Sequence, residues 1–133
     1  MITKEKALKI LNINCLKDKE GKQKLINLLS KTKWFKGKDV NFETMQKLYD
    51  KLEEKYNFCI GAIVHTKRSY DVSVIRRIEV EYTKAVWIET VYAYDLEELF
   101  IKVLLLMYFS IVEGLKFKDA EEKEVINGGK RGI

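Results

Sequence analysis

The sequence predicts an α+β fold: a three-stranded antiparallel meander covered by helices, in the order α-β-β-β-α, with a small N-terminal helical appendage. Three patterns predict it. Apolar residues recur at helical spacing over 42–56, follow a period of two in the next segments, and fill most of 99–112. The chain has 133 residues, which is the size of one domain. It contains no proline and seven glycines. We expect residues 1–38 to form a basic helical appendage, 39–115 the core and 116–133 a flexible polar tail.

Two short helices are expected in the appendage. Thr3 is of the type that caps a helix N-terminus, and apolar residues follow it at helical spacing until Asn12. A second helix is expected to begin within residues 18–22 and to end within residues 30–33, with leucines on one side and lysines on the other. Both helices are therefore predicted to be amphipathic.

The core is expected to begin with an amphipathic helix over 42–56, capped by Asn41 or Asp39. The period then changes from 3.6 to 2, which predicts strands near 58–65, 70–82 and 85–94. Short turns between them favour an antiparallel meander. Arg76 interrupts the apolar face of the second strand, and it is expected to mark a bend, to form a buried ion pair or to contact a partner.

The last helix is expected to begin after Asp95, with Glu98 as the reciprocal partner of a capping box, and to end at Gly114. From residue 99 to 112 only Lys102 and Ser110 are polar, and this run is too short to span a bilayer. A helix that is apolar on all sides needs cover on more than one side. The sheet would cover one side, and the N-terminal helices or a second copy in a homodimer would cover the other.

Positive charge is concentrated near the N-terminus. Residues 1–38 carry eleven lysines and three acids, whereas the rest of the chain has a net charge of −3. This division favours either a patch for phosphate or an acidic protein, or a solvated lysine-rich helix face. The candidate residues for binding a partner or nucleic acid are Lys22, Lys24, Lys31, Lys33, Lys36, Lys38, Arg68, Arg76 and Arg77.

Catalytic and metal-binding patterns are sparse. Cys15 and Cys59 lie far apart among apolar neighbours, which favours buried free thiols, and His65 is the only histidine. The chain has no glycine-rich phosphate loop and no nucleophile elbow. We therefore predict no enzymatic activity, no metal and no cofactor. The N-terminus lacks the apolar segment of a signal peptide, so a cytoplasmic location is expected.

The order of elements over residues 42–113 resembles a double-stranded RNA-binding domain, although the last helix begins with the acidic Asp95-Leu96-Glu97-Glu98. The same order resembles small phage-encoded α-β-β-β-α sandwich proteins, through a tryptophan-containing strand followed by an acidic-capped, leucine-rich helix. These resemblances imply an α+β core and, for the second group, no common activity.

Residues 3–56 resemble a degenerate J-domain that lacks the family's His-Pro-Asp loop. The resemblance rests on the lysine-rich second helix and on two segments, Lys6-Ala7-Leu8-Lys9-Ile10-Leu11-Asn12-Ile13 and Glu43-Thr44-Met45-Gln46-Lys47-Leu48-Tyr49. It implies a helical docking surface with a basic second helix.

Together these features predict a non-enzymatic binding protein of phage or mobile-element origin that occupies the surface of a host macromolecule. A defence inhibitor of the anti-CRISPR type is the concrete version, with a host protein or ribonucleoprotein complex as partner and no membrane. The alternative is a nucleic-acid-binding module that uses the N-terminal lysines.

Overall fold

The computed structural model describes residues 2–56, 58–65, 70–79, 83–115 and 122–124, and it describes side chains over 2–56, at 70 and over 91–115. The elements in these ranges are α1 (Lys4–Leu11), α2 (Gly21–Ser30), α3 (Phe42–Tyr56), β1 (Phe58–His65), β2 (Tyr70–Glu79), β3 (Thr83–Ala93), α4 (Leu96–Ile111) and β4 (Glu122–Glu124).

The strands pair antiparallel in the order β1-β2-β3-β4. Tyr70 at the start of β2 lies opposite both His65 and Ala93, so the three long strands are in register at this end of the sheet. The pairing of β2 with β3 shifts between Val74 and Ile75, just before the predicted bend. Such a shift adds twist to the strands on either side of it.

Helix α4 lies at the centre of the hydrophobic core. Every residue from 99 to 107 except Phe100 is buried. Helices α1, α2 and α3 and strand β3 pack around α4. Their buried residues are Ala7, Leu11, Leu25, Leu29, Met45, Tyr49, Leu52, Val91 and Ala93. Because each large apolar side chain removed from water contributes about 1.5–3 kcal/mol, this burial is the main stabilising contribution in the described core.

The predicted fold class, a three-stranded meander with two covering helices and a separate N-terminal appendage, is wrong. The described core is mostly helical, with α1, α2 and α3 packed around α4, and the leucines of α1 and α2 belong to that core. The physical reason is the apolar surface of α4, which requires cover on every side. The three-stranded prediction also omitted β4, which pairs with β3. Its residues, Glu122–Glu124, are all charged and so lack the apolar alternation that predicts a strand.

The side of α4 that suggested a dimer carries Phe100, Leu104, Met107 and Ile111, and Phe100 and Ile111 are only partly buried. Leu104 and Met107, which point away from the sheet in the helical pattern, are both fully buried within the single chain. The homodimer stays a prediction. Of the predicted flexible tail, only Glu122–Glu124 is described, and the remainder of 116–133 lies outside the described residues.

The predicted N-caps of α1 and α4 are confirmed, and so is Asn41 as the cap of α3. Thr3 Oγ1 accepts a hydrogen bond from Lys6 N at 3.2 Å, and Asp95 Oδ1 accepts one from Glu98 N at 2.8 Å. Asn41 and Thr44 exchange two hydrogen bonds of 3.0 Å, side chain to backbone in each direction. These bonds satisfy N–H groups that a helix start otherwise leaves unpaired.

Candidate functional site

Two of the predicted lysines are engaged by acids of the same chain. Lys22 Nζ lies 2.6 Å from Asp95 Oδ2 and 3.3 Å from Glu97 Oε1, which ties α2 to the start of α4. Lys24 Nζ lies 3.2 Å from Asp18 Oδ2. A partner would have to displace two carboxylates from Lys22, which is therefore a poorer candidate. The Lys24–Asp18 pair is more exposed and is an obstacle of the weak kind that surface ion pairs present.

The predicted arginines do not contribute to a described site. Arg68 lies outside the described residues. Arg76 and Arg77 lie on β2, opposite Val86 and Ala85 of β3, and only their backbone is described. Whether these arginines contact a partner stays a prediction.

The other four predicted lysines, Lys31, Lys33, Lys36 and Lys38, are exposed on the segment that joins α2 to α3. Three buried or partly buried side chains hold this segment. Phe35 is only 2% exposed, Thr32 Oγ1 donates to Leu29 O at 2.7 Å, and Trp34 packs edge-to-face on Tyr108 at a centroid distance of 5.0 Å. Because the anchors alternate with the lysines, the segment presents its charges from a fixed backbone.

This segment faces α3 across an open cavity of about 210 Å³, which we call the lysine groove. Its basic lining consists of Lys38 from the segment and of Lys47 and Lys51 from α3. Its other walls are Trp34, Phe35, Thr44 and Leu48. Since Lys47 and Lys51 are four residues apart, they project from the same side of the helix.

One of the three lysines is paired with an acid of its own helix. Lys47 Nζ lies 3.1 Å from Glu43 Oε1, but the two side chains are 75% and 77% exposed, so water and salt screen the pair. Within the described part of the chain, neither Lys38 nor Lys51 belongs to an ion pair. The lysine groove therefore combines positive charge with an apolar and aromatic wall.

Sequence reasoning missed Trp34, Lys47 and Lys51 as site residues. One signal was local, because aromatic residues interleave with lysines in Lys31-Thr32-Lys33-Trp34-Phe35-Lys36-Gly37-Lys38. The other signal was the i,i+4 spacing of Lys47 and Lys51 in a helix that also carries several acids. Neither signal shows that the loop and α3 face each other, and this is the information that only the fold provides.

A second polar cluster lies at the other end of the core, where α4 begins. Glu98 and Lys102 are 0% and 3% exposed, and Lys102 Nζ lies 2.8 Å from Glu98 Oε2. Lys102 Nζ also donates to Ile13 O at 2.9 Å and to Tyr92 O at 2.8 Å, while Glu98 Oε1 accepts from Tyr94 N at 3.0 Å. The predicted capping-box role of Glu98 is thus shifted by one residue, onto the N–H of Tyr94.

The buried pair joins the loop after α1, the end of β3 and the start of α4. Lys102 Nζ donates two hydrogen bonds, to Ile13 O and Tyr92 O, and lies beside Glu98 Oε2 as the opposite charge of an ion pair. Glu98 Oε2 meets Lys102 as an ion and accepts no hydrogen bond from the described residues. Both charged groups are buried, and the arrangement is suited to holding three segments together.

Cys15 lies beside this pair but lacks the properties of a catalytic thiol. Burial raises the pKa of the Cys15 thiol to about 11, and the negative charge of Glu98 adds to the increase. At neutral pH the thiol is therefore protonated, whereas the thiolate is the nucleophilic form. The cluster at the start of α4 is a structural feature of the fold.

Metal-binding geometry is absent from the described residues, where no three His, Cys, Asp or Glu side chains come together. In the described helices, no segment is both long and apolar enough to cross a membrane. Comparisons with protein-family models, curated proteins and solved structures find no match to this chain. The lysine groove is accordingly our candidate binding site, and the evidence for it is the position of its lining residues.

Proposed function

We propose that this chain is a non-enzymatic binding protein that covers an acidic surface of a macromolecule with its lysine groove. The observation that supports the proposal is the convergence of Lys38, Lys47 and Lys51 on one cavity beside Trp34. Like charges in one concave site raise the local positive potential and attract an anionic partner. The mechanism is steric, because a bound partner surface is no longer accessible to other molecules.

The walls of the groove are held in place before a partner arrives. Phe35 and Met45, which anchor the segment and α3, are both buried in the core. Preorganised walls reduce the ordering cost of association. Inhibition of a host complex by covering its surface is a narrower form of this proposal and requires the same groove.

Charge reversal in the groove tests the proposal. The groove variant carries Lys38→Glu, Lys47→Glu and Lys51→Glu, and the control variant carries Lys4→Glu, Lys6→Glu and Lys9→Glu, three exposed positions at α1. Both variants change the net charge by the same amount. Retention on immobilised polyglutamate and on immobilised single-stranded DNA is measured at increasing salt concentration.

We expect at least one of these polyanions to retain the wild type and the control variant, and to release the groove variant at lower salt. Equal elution of the two variants from both supports would refute the proposal, because net charge alone would then explain retention. Circular dichroism of each variant checks that the helices remain folded.

A further inference from the structure

We infer that the ligand of the lysine groove is a single strand of nucleic acid, with phosphates on the lysines and a base against Trp34. The inference rests on the proposed function and specifies its partner. It depends on two features that occur together in the groove, three lysines and an aromatic wall.

The three lysines offer several positive charges to a polyanion that carries one negative charge on every repeat. Lys47 and Lys51 are one turn apart, about 6 Å along α3, and Lys38 stands on the opposite wall. A nucleic-acid strand places one negative charge on every nucleotide, so neighbouring phosphates can engage these ammonium groups together. Each engaged phosphate releases a counterion, which makes the binding depend on salt.

The aromatic wall favours a single strand over the other polyanions. Base stacking on an aromatic side chain contributes about 1–3 kcal/mol per base and tolerates every base, because all bases have a flat face. The indole of Trp34 lines the cavity and is only partly buried, so part of its surface is accessible to a ligand. A duplex keeps its bases stacked inside, and a polyglutamate chain has no base or aromatic ring, so neither would stack on Trp34.

Fluorescence of Trp34 provides a direct test. The second tryptophan is removed by Trp87→Phe in every protein used, so that Trp34 alone emits. An oligonucleotide of twelve deoxythymidines, the same length of duplex DNA and a polyglutamate peptide are titrated separately. Binding is followed by the anisotropy of a fluorescent label and by Trp34 emission.

We expect the single strand to bind with saturable quenching of Trp34. The groove variant should bind it more weakly by about 100-fold or by a larger factor. The control variant at α1 should retain most of the affinity. Replacing Trp34 by Phe, which keeps an aromatic ring against Tyr108, should preserve binding, whereas Trp34→Leu should weaken it by about 5-fold or more. Urea unfolding of both variants identifies any loss that is due to misfolding.

Each of three results would overturn the inference. If polyglutamate binds the groove and the single strand does not, the ligand is an acidic protein and the proposed function stands. If duplex and single strand bind equally well without change in Trp34 emission, the groove recognises phosphate alone. If no polyanion distinguishes the groove variant from the control variant, the inference and the proposed function both fall.

Discussion

Replacement of Lys102 by methionine tests the buried pair at the start of α4. Methionine keeps most of the volume and apolar stem of the lysine but removes its charge and its three donors. Glu98 would remain fully buried with no opposite charge beside it, and the carbonyls of Ile13 and Tyr92 would lose their donor. Removal of one partner from a buried ion pair costs about 3–5 kcal/mol.

That cost is a large part of the free energy of unfolding, which is about 5–15 kcal/mol for a single domain. With a urea dependence of about 2 kcal/mol per molar, the midpoint of unfolding should fall by about 2 M. Tryptophan fluorescence against urea concentration measures the midpoint. Lys47→Met is the matched control, because the Lys47–Glu43 pair is exposed and its loss should shift the midpoint by less than about 0.3 M.

A second variant separates the unpaired charge from the lost hydrogen bonds. The double change Glu98→Leu and Lys102→Met removes both charges together, so it should be less destabilising than Lys102→Met alone. It should still be less stable than the wild type, because the N–H of Tyr94 loses its acceptor. A midpoint for Lys102→Met within about 0.5 M of the wild type would refute the buried-pair interpretation.

Three further predictions concern the surroundings of this pair. Partial burial acts to raise the pKa of Asp95, but the N–H of Glu98 and the ammonium of Lys22 outweigh it and lower that pKa, while Asp95 raises the pKa of Lys22. The Lys22–Asp95 ion pair therefore stabilises the fold between about pH 4 and 10, where both groups are charged in the folded and the unfolded chain. The difference in urea midpoint between wild type and Lys22→Met should vanish as pH falls through the lowered Asp95 pKa. With the other cysteine replaced by alanine, Cys15 should react with iodoacetamide at pH 8 about 100-fold more slowly in the folded than in the unfolded chain, a ratio set by the two thiolate fractions. Gly21→Ala should destabilise the chain by about 1–3 kcal/mol in urea unfolding, because the new Cβ would lie 2.8 Å from a branched methyl of the preceding loop; equal or higher stability would contradict this packing.

The features that sequence predicted well are local. Thr3, Asn41 and Asp95 form their caps within a few residues, so residue type and spacing contain the necessary information. The amphipathic pattern of α3 likewise shows which side of that helix is buried. Local rules therefore located the helices of the described chain.

The features that sequence reasoning missed depend on long-range packing. The apolar surface of α4 showed that cover was needed, but nothing local showed that α1 and α2 supply it within the same chain. Glu98 and Lys102 are four residues apart in an apolar helix, which indicates a pair, yet the partners Ile13 and Tyr92 lie on distant segments. The lysine groove has the same character, since a loop and a helix form it together.

The salt dependence of single-strand binding tests the lysine groove most directly. For a strand that places three phosphates on Lys38, Lys47 and Lys51, the logarithm of the association constant should fall with the logarithm of salt concentration with a slope of about −2. The neutral variant Lys38→Gln/Lys47→Gln/Lys51→Gln should lose this slope almost completely, whereas the Gln variant of Lys4, Lys6 and Lys9 should keep it. An unchanged slope and affinity in this neutral variant would show that the lysine groove does not hold the strand.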